Sequence, residues 1–206
     1  MVGKPPHITS APNYDFPGRM IGVTLCFPNS SNKRADTFQK RGKGSIKIFL
    51  TSIYHPVDHN EHKRFNEELA SFYNSIPQNA ELLSGQDVNC NIEIWSKMSR
   101  DVIGPYSINN RNDKGKDLLF LLNSIKFRVL LTYYRHENYT NWRSFNSTRY
   151  PHIMDNFICS WPFFRRVKYC KVVNIVIHSY HTSILTSFKL TAIKFKVNEK
   201  IVAHID

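Results

Sequence analysis

Between Ser45 and Tyr54 apolar and polar positions alternate, with Ile46, Ile48 and Leu50 on one side. That two-residue period predicts a strand with one buried face. An apolar run, Arg19 to Phe27 (RMIGVTLCF), is bounded by Gly18 and Pro28 and predicts a second strand. The two are suited to pair as a hairpin across the basic loop SSNKRADTFQKRGKG. The period then changes to that of a helix. From Asn60 to Ile76, the residues Phe65, Leu69, Phe72 and Ile76 share one face, Asp58 or Asn60 can cap the start, and Pro77 ends the run. A second helix is predicted from about Lys114 to Phe127, with Leu118, Leu119, Leu122 and Ile125 together. The remaining elements are predicted strands: ELLSG before the polar turn GQDVNCN, then RVLLTYY, NWRSF and IMDNFICS, and finally CKVVNIVI and LTSFKLTAIKFKV. In the last of these, Leu190, Ile193 and Phe195 alternate with polar residues and lysines, as on a sheet with one wet face.

The order β-β-α-β-α followed by several strands is not a regular βαβ alternation. It predicts an α+β layered sandwich with helices outside antiparallel-rich sheets. No internal repeat or linker divides the chain. The reading is a leader without pattern over 1–18 and one domain over 19–206.

Composition narrows the partners. The 206 residues carry a formal net charge of +12, with a pI near 9.6, which favours an acidic partner such as nucleic acid. Half of that excess lies after Phe188 and in the segment before it: from Pro162 to the end, eight Lys/Arg face only Glu199 and Asp206. A mean hydropathy of −0.40 and no apolar run near the roughly 20 residues of a spanning helix argue against a membrane partner. The cysteines Cys26, Cys90, Cys159 and Cys170 form no CxxC pair, so they read as small buried groups in a reducing compartment. With no apolar signal-type core at the start, the expected location is intracellular, nuclear or cytoplasmic. The Asn-x-Ser/Thr triplets at Asn29, Asn138 and Asn146 then carry no modification. Nothing in the pattern speaks to oligomeric state.

Four short segments carry candidate chemistry. Gly85-Gln86-Asp87-Val88-Asn89 follows a strand, and Asp87 and Asn89 at alternate positions can address one ligand: a carboxylate to orient a water or leaving group, an amide to hold a phosphate oxygen. Asp and Asn also favour plain turns. Thr140-Asn141-Trp142, with Arg143, offers an aromatic face for a base, or a ring packed at a strand edge. Asp155 sits alone in the apolar segment Met154-Asp155-Asn156-Phe157-Ile158; buried, it needs a partner, and a histidine would suit. Ser179-Tyr180-His181 follows a strand, and His181 oriented by Asp155 would serve as a general base or phosphate-binding cation.

In their order, GQDVN, NW, MDNFI and SYH resemble the endonuclease/exonuclease/phosphatase family, especially its retrotransposon-type, apurinic-like endonucleases, whose members show GDFN, TW, IDYI and SDH. GRMIGVTLCF and IKIFLTSIYHP are similar to the family's GRGVAI-type and VYAP-type strands, and NDKGKDLL resembles its N-x-x-G-x-x-L-L helix. The resemblance spans roughly Gly18 to Phe188. It implies a four-layer α/β/β/α sandwich lacking its first strands, and a Mg²⁺-dependent hydrolysis of phosphodiesters in DNA. Residue by residue it implies that Asp87 aligns nucleophile or leaving group and that Asn89 binds phosphate. It further implies that Asp155 orients His181, that Tyr54 in Tyr-x-Pro approaches the phosphate, and that Trp142 lies beside the substrate.

The chain departs from the family pattern in three places. The family's metal-binding Glu lies in an early strand, and before Arg19 only Asp15 stands in for it, without strand context. Tyr180 occupies the place of the Asp in SDH, and a phenol with an ordinary pKa of about 10 does not replace a carboxylate beside Mg²⁺. Gln86 is inserted between Gly85 and Asp87. The resemblance with these departures implies an impaired endonuclease whose metal ligands are incompletely identified. The alternatives are an inactive remnant that binds nucleic acid through charge, and a phosphatase of the same fold. His55, His59 and His62 form the one rival cluster, but Pro56 and the lack of a supporting Cys pair weaken it as a zinc site.

Overall fold

A computed structural model gives the architecture, and it describes residues 7–10, 20–27, 46–77, 80–93, 96–97, 99–107, 110–135, 153–173 and 181–190. Trp142, Tyr180, the segment NWRSF and the basic residues beyond Leu190 lie outside the described residues.

The two N-terminal apolar runs form strands β2 (Met20–Phe27) and β3 (Ile46–Tyr54), paired antiparallel from Met20↔Ile53 to Phe27↔Ile46. Within the segment read as a leader, His7–Ser10 forms a further strand, β1, antiparallel to β2. Four residues are too few to show a period, and this strand is made by the backbone partners that β2 offers along its outer edge.

Helix α1 (His59–Ser75) is capped by Asp58, whose carboxylate accepts from the backbone N–H groups of Asn60 at 2.8 Å and Glu61 at 3.0 Å. It buries Phe65, Leu69 and Phe72 and ends at Ile76 before Pro77. Fully burying each such side chain stabilises the fold by roughly 1.5–3 kcal/mol. Strand β4 (Ala80–Asp87) then returns parallel to β3, so β3, α1 and β4 form a crossover unit. Short strands β5 (Ile92–Glu93) and β6 (Asn110–Arg111) pair and lead into α2 (Asp113–Ser124).

After α2 the segment read as the strand RVLLTYY divides. Only β7 (Phe127–Val129) is extended, and Leu130–Tyr133 close into a single 3₁₀ turn that buries Leu130 and Leu131. Continuous apolar runs do not distinguish a strand from a buried turn by period alone. Strand β8 (Asp155–Ser160), helix α3 (Trp161–Phe164), β9 (Val167–Val173) and β10 (Ser183–Phe188) complete the order.

The main sheet runs β1-β2-β3-β4-β8-β7, with only β3–β4 parallel; β9 and β10 form a separate antiparallel pair. Its two faces bury different cores. One joins Phe49, Ile53 and Leu82 to α1 and α2; the other joins Ile48, Leu83 and Cys159 to Phe163, Cys170 and Val172. The result is an α+β sandwich of helices, mixed sheet and second sheet, with Cys90, Cys159 and Cys170 buried as free thiols. Arg166, counted among the basic residues of the C-terminal part, forms a two-pronged ion pair with Glu81 at 2.6 and 2.8 Å. Among the described residues no helix is long and apolar enough to cross a membrane.

Candidate active site

Three neighbouring strands end in one row. Tyr54 of β3 stands opposite Asp87 of β4, which stands opposite Asp155 of β8. Because side chains alternate along a strand, the row shares the face of Leu83 and Cys159, toward β9 and β10. His181, just before β10, completes it. Its Nδ1 lies 2.7 Å from Asp155 Oδ2. One ligand atom each from Asp87, Asp155 and His181 lies within 4.8 Å of the others. The structure therefore brings Asp87, Asp155, His181 and Tyr54 to one sheet end. Tyr54 is 48% exposed there.

The polar turn after β4 is tied down from both sides. Asn89 adopts a left-handed backbone (φ 44°), which asparagine tolerates better than most residues. Its N–H donates to Asp87 Oδ1 at 3.1 Å, and its Nδ2 donates to the His55 carbonyl at 2.8 Å. One amide hydrogen of Asn89 is thus used for structure, and a second remains in the group's inventory. The Asp87 carbonyl accepts from His55 N at 2.9 Å, and Val88 N donates to the Met154 carbonyl at 2.8 Å. Helix α2 closes the turn from outside. Asn112 accepts from Gly115 N and Asn91 N, and a Cβ on Gly115 would fall 1.7 Å from the Asn91 carbonyl oxygen. Only glycine allows that approach.

Gln86, which breaks the family spacing, lies on the opposite face of β4 from Asp87 and is buried. His55 Nε2 is 2.9 Å from Gln86 Oε1, which can only accept, so Nε2 carries the hydrogen. Gln86 Nε2 in turn donates to Ser84 Oγ at 2.8 Å and to the Tyr73 hydroxyl. The second buried imidazole follows the same logic: His62 Nε2 donates to the Val88 carbonyl at 3.4 Å, and His62 Nδ1 accepts from Asn66 Nδ2 at 3.3 Å. Two of the three histidines that suggested a rival zinc site, His55 and His62, are therefore engaged under the turn, their rings 5.3 Å apart, and His59 is exposed at the start of α1.

Burial sets the charges. It pushes His55 down to about 3, so the ring is neutral, and it also lowers His62. It raises Asp87, against the opposing bond from Asn89 N–H and the nearby His181. It raises Asp155 too, where the His181 bond opposes and Asp87 adds to the rise. Two half-buried carboxylates side by side make a place where a cation relieves a real cost. Hard carboxylate oxygens are the donors that a Mg²⁺-type ion takes, and it needs one or two of them with waters completing its shell. Asp87 and Asp155 fit that requirement.

The fold is that of the endonuclease/exonuclease/phosphatase kind. The chain superposes on the endonuclease domain of TRAS1, a telomere-specific non-LTR retrotransposon, at a TM-score of 0.60 and 14% identity, covering 90% of this chain and 70% of that one. An AP endonuclease from Archaeoglobus fulgidus matches at a TM-score of 0.53 and 14% identity, over 69% of this chain and 62% of that one. The 3′ phosphatase NExo from Neisseria, bound to product DNA hairpin, matches at 0.56 and 13% identity, over 90% and 72%. No protein-family model matches the chain, and no curated protein matches its sequence.

Sequence reasoning missed the supporting layer of His55, His62, Asn66 and Gln86. Its signal was present in the alternation along β4, which sends Gln86 to the face opposite Asp87. It also gave Asp87 and Asp155 separate duties and named neither as a metal ligand.

Proposed function

We propose that this chain belongs to the endonuclease/exonuclease/phosphatase family and is a metal-dependent phosphodiester hydrolase that acts weakly on DNA. The observation that carries the reading is the convergence of Asp87, Asp155 and His181 at one sheet end, on a fold shared with two nucleases and a DNA phosphatase. Asp155 accepts the Nδ1 hydrogen of His181, which leaves Nε2 as the nitrogen that exchanges a proton with substrate or water. Asn89 offers an amide N–H to a phosphate oxygen, and the exposed Tyr54 hydroxyl stands in the same row to contact the phosphate. Trp142 is proposed as a stacking contact on the substrate. A divalent ion held by the carboxylates of Asp87 and Asp155 would supply charge stabilisation to the phosphoryl oxygens. Activity is weak on this reading because Tyr180, next to His181, stands where the family pattern has a carboxylate.

The +12 charge favours a second reading, a non-catalytic binder of nucleic acid. Plasmid nicking in Mg²⁺ and in chelator separates the two. The hydrolase reading expects slight, chelator-sensitive nicking that rises in Tyr180→Asp. DNA binding that weakens steeply with salt, with no nicking in either protein, leaves the binder. Strong wild-type nicking that Tyr180→Asp does not raise would show that Tyr180 is no weakness.

A further inference from the structure

Strand β8 carries Asp155 at one end and Ser160 at the other, about 17 Å away at a strand rise of roughly 3.3 Å per residue. At the Ser160 end, Asp101, Val102, Asn123, Lys126, Arg128 and Trp161 enclose a surface pocket of about 330 Å³. Trp161 opens α3 yet is 45% exposed, while its neighbour Phe163 is buried. The Arg128 guanidinium lies 3.7 Å from the centre of the Trp161 ring and 5.4 Å from that of Phe164. The Trp161 and Phe164 rings stack at 5.6 Å with 18° between their planes. Lys126 lines the same pocket from a left-handed backbone (φ 59°), a conformation that costs a lysine free energy and persists where the surroundings impose it. Among the described residues neither Lys126 nor Arg128 has a carboxylate within ion-pair distance.

We propose that this pocket is a second ligand site, for a planar heterocyclic ring bearing a phosphate, that is, for a nucleotide. The Arg128 guanidinium, stacked on the Trp161 indole, presents a flat cationic face on which a base packs. Lys126 and Arg128 give the phosphate charge-assisted hydrogen bonds. The Asn123 amide and the Asp101 carboxylate supply donors and an acceptor for the ring edge. Two cations against one carboxylate leave the pocket selective for an anion. Its volume is at the small end of the range for small-molecule sites. Both a free mononucleotide and the last nucleotide of a single strand carry this chemistry. The proposal does not rest on the hydrolase reading.

The test is equilibrium binding in chelator of dAMP, inorganic phosphate and a short single-stranded oligonucleotide, with the Trp161 indole N–H followed by NMR. dAMP is expected to shift that signal and to bind at least tenfold more tightly than phosphate. Lys126→Gly is expected to weaken dAMP about tenfold, the loss of one charge-assisted contact. Its melting temperature should be unchanged or raised, because glycine takes φ 59° without steric cost. Trp161→Leu is expected to weaken dAMP but not phosphate. An oligonucleotide that binds more tightly than dAMP identifies a strand end as the source, and equal affinity identifies the free nucleotide. Millimolar dAMP that leaves the Trp161 signal unmoved would overturn the proposal, as would dAMP binding lost in His181→Ala and unaffected by Lys126→Gly.

Discussion

The two halves of the candidate site are built differently. Asp87 and Asn89 sit in a turn whose backbone is held by His55, His62 and Met154 and braced by α2. Two buried imidazoles and Gln86 lie directly beneath it. His181 stands before β10 in a two-stranded sheet, its side chain is 38% exposed, and it joins the row through its 2.7 Å bond to Asp155. The difference teaches that the Asp87–Asn89 half is held by the core beneath it, whereas the His181 half is partly exposed beside a two-stranded sheet. Substitutions beneath the first half should therefore lower stability and activity together. Substitutions at the second should remove activity and spare the fold.

The largest effect should come from the exposed half. In a Tyr180→Asp background, His181→Ala is expected to reduce Mg²⁺-dependent nicking by about 10²–10⁴, the usual worth of a positioned acid–base group. Its unfolding free energy from urea titration should fall by no more than about 1 kcal/mol, the usual worth of a partly exposed ion pair. A His181→Ala protein that nicks like its parent would remove the histidine from the chemistry.

Gly115→Ala should break the buried half. The added methyl meets the Asn91 carbonyl oxygen at 1.7 Å, so α2 must move off the turn, at a cost of roughly 1–3 kcal/mol. Denaturant unfolding should report that loss, and amide exchange at Val88 and Asn89 should quicken with it. Unchanged stability would mean that the α2 contact does not brace the turn.

Acid should expose the same asymmetry more gently. Burial holds His55 near 3 in the folded state against 6.5 as its ordinary value. Between those values the unfolded chain binds the extra proton. Stability therefore falls as pH falls through this window, by up to ~1.4 kcal/mol per pH unit. Asp87 and Asp155 are raised by burial and act in the opposite sense, offsetting part of the loss near the carboxylate range. Unfolding midpoints at pH 7 and pH 5 should show the decline, and a His55→Leu protein should show a shallower one. Equal slopes would mean that His55 is not held neutral.

How much of this could be read from the chain alone follows the same division. The period of Phe65, Leu69 and Phe72, with Asp58 before them, marked α1 to within a residue, because amphipathic period and capping are local properties. The pairing of β2 with β3 was readable from the bounded apolar run of the first and the alternation of the second. The family resemblance singled out Asp87, Asn89, Asp155 and His181, and the fold sets the first, third and fourth within reach of one ion. Beyond the Asp155–His181 pair, what the chain did not reveal is the set of contacts beneath the turn. His62 meets Val88 26 positions away, and Gln86 meets His55 31 positions away. The 3₁₀ turn at Leu130–Tyr133 was lost for the same reason, since its apolar residues satisfy burial in either geometry.

The central claim is that Asp87 and Asp155 share one divalent ion. It is tested most directly by titrating the protein with Mn²⁺ and following paramagnetic broadening of resonances near His181. Localised broadening is expected in the wild type, with an affinity that falls at least tenfold in Asp87→Asn and again in Asp155→Asn, each removing one carboxylate ligand. Broadening that is absent near His181, or that persists with unchanged affinity in both variants, would contradict a shared metal site at this end of the sheet.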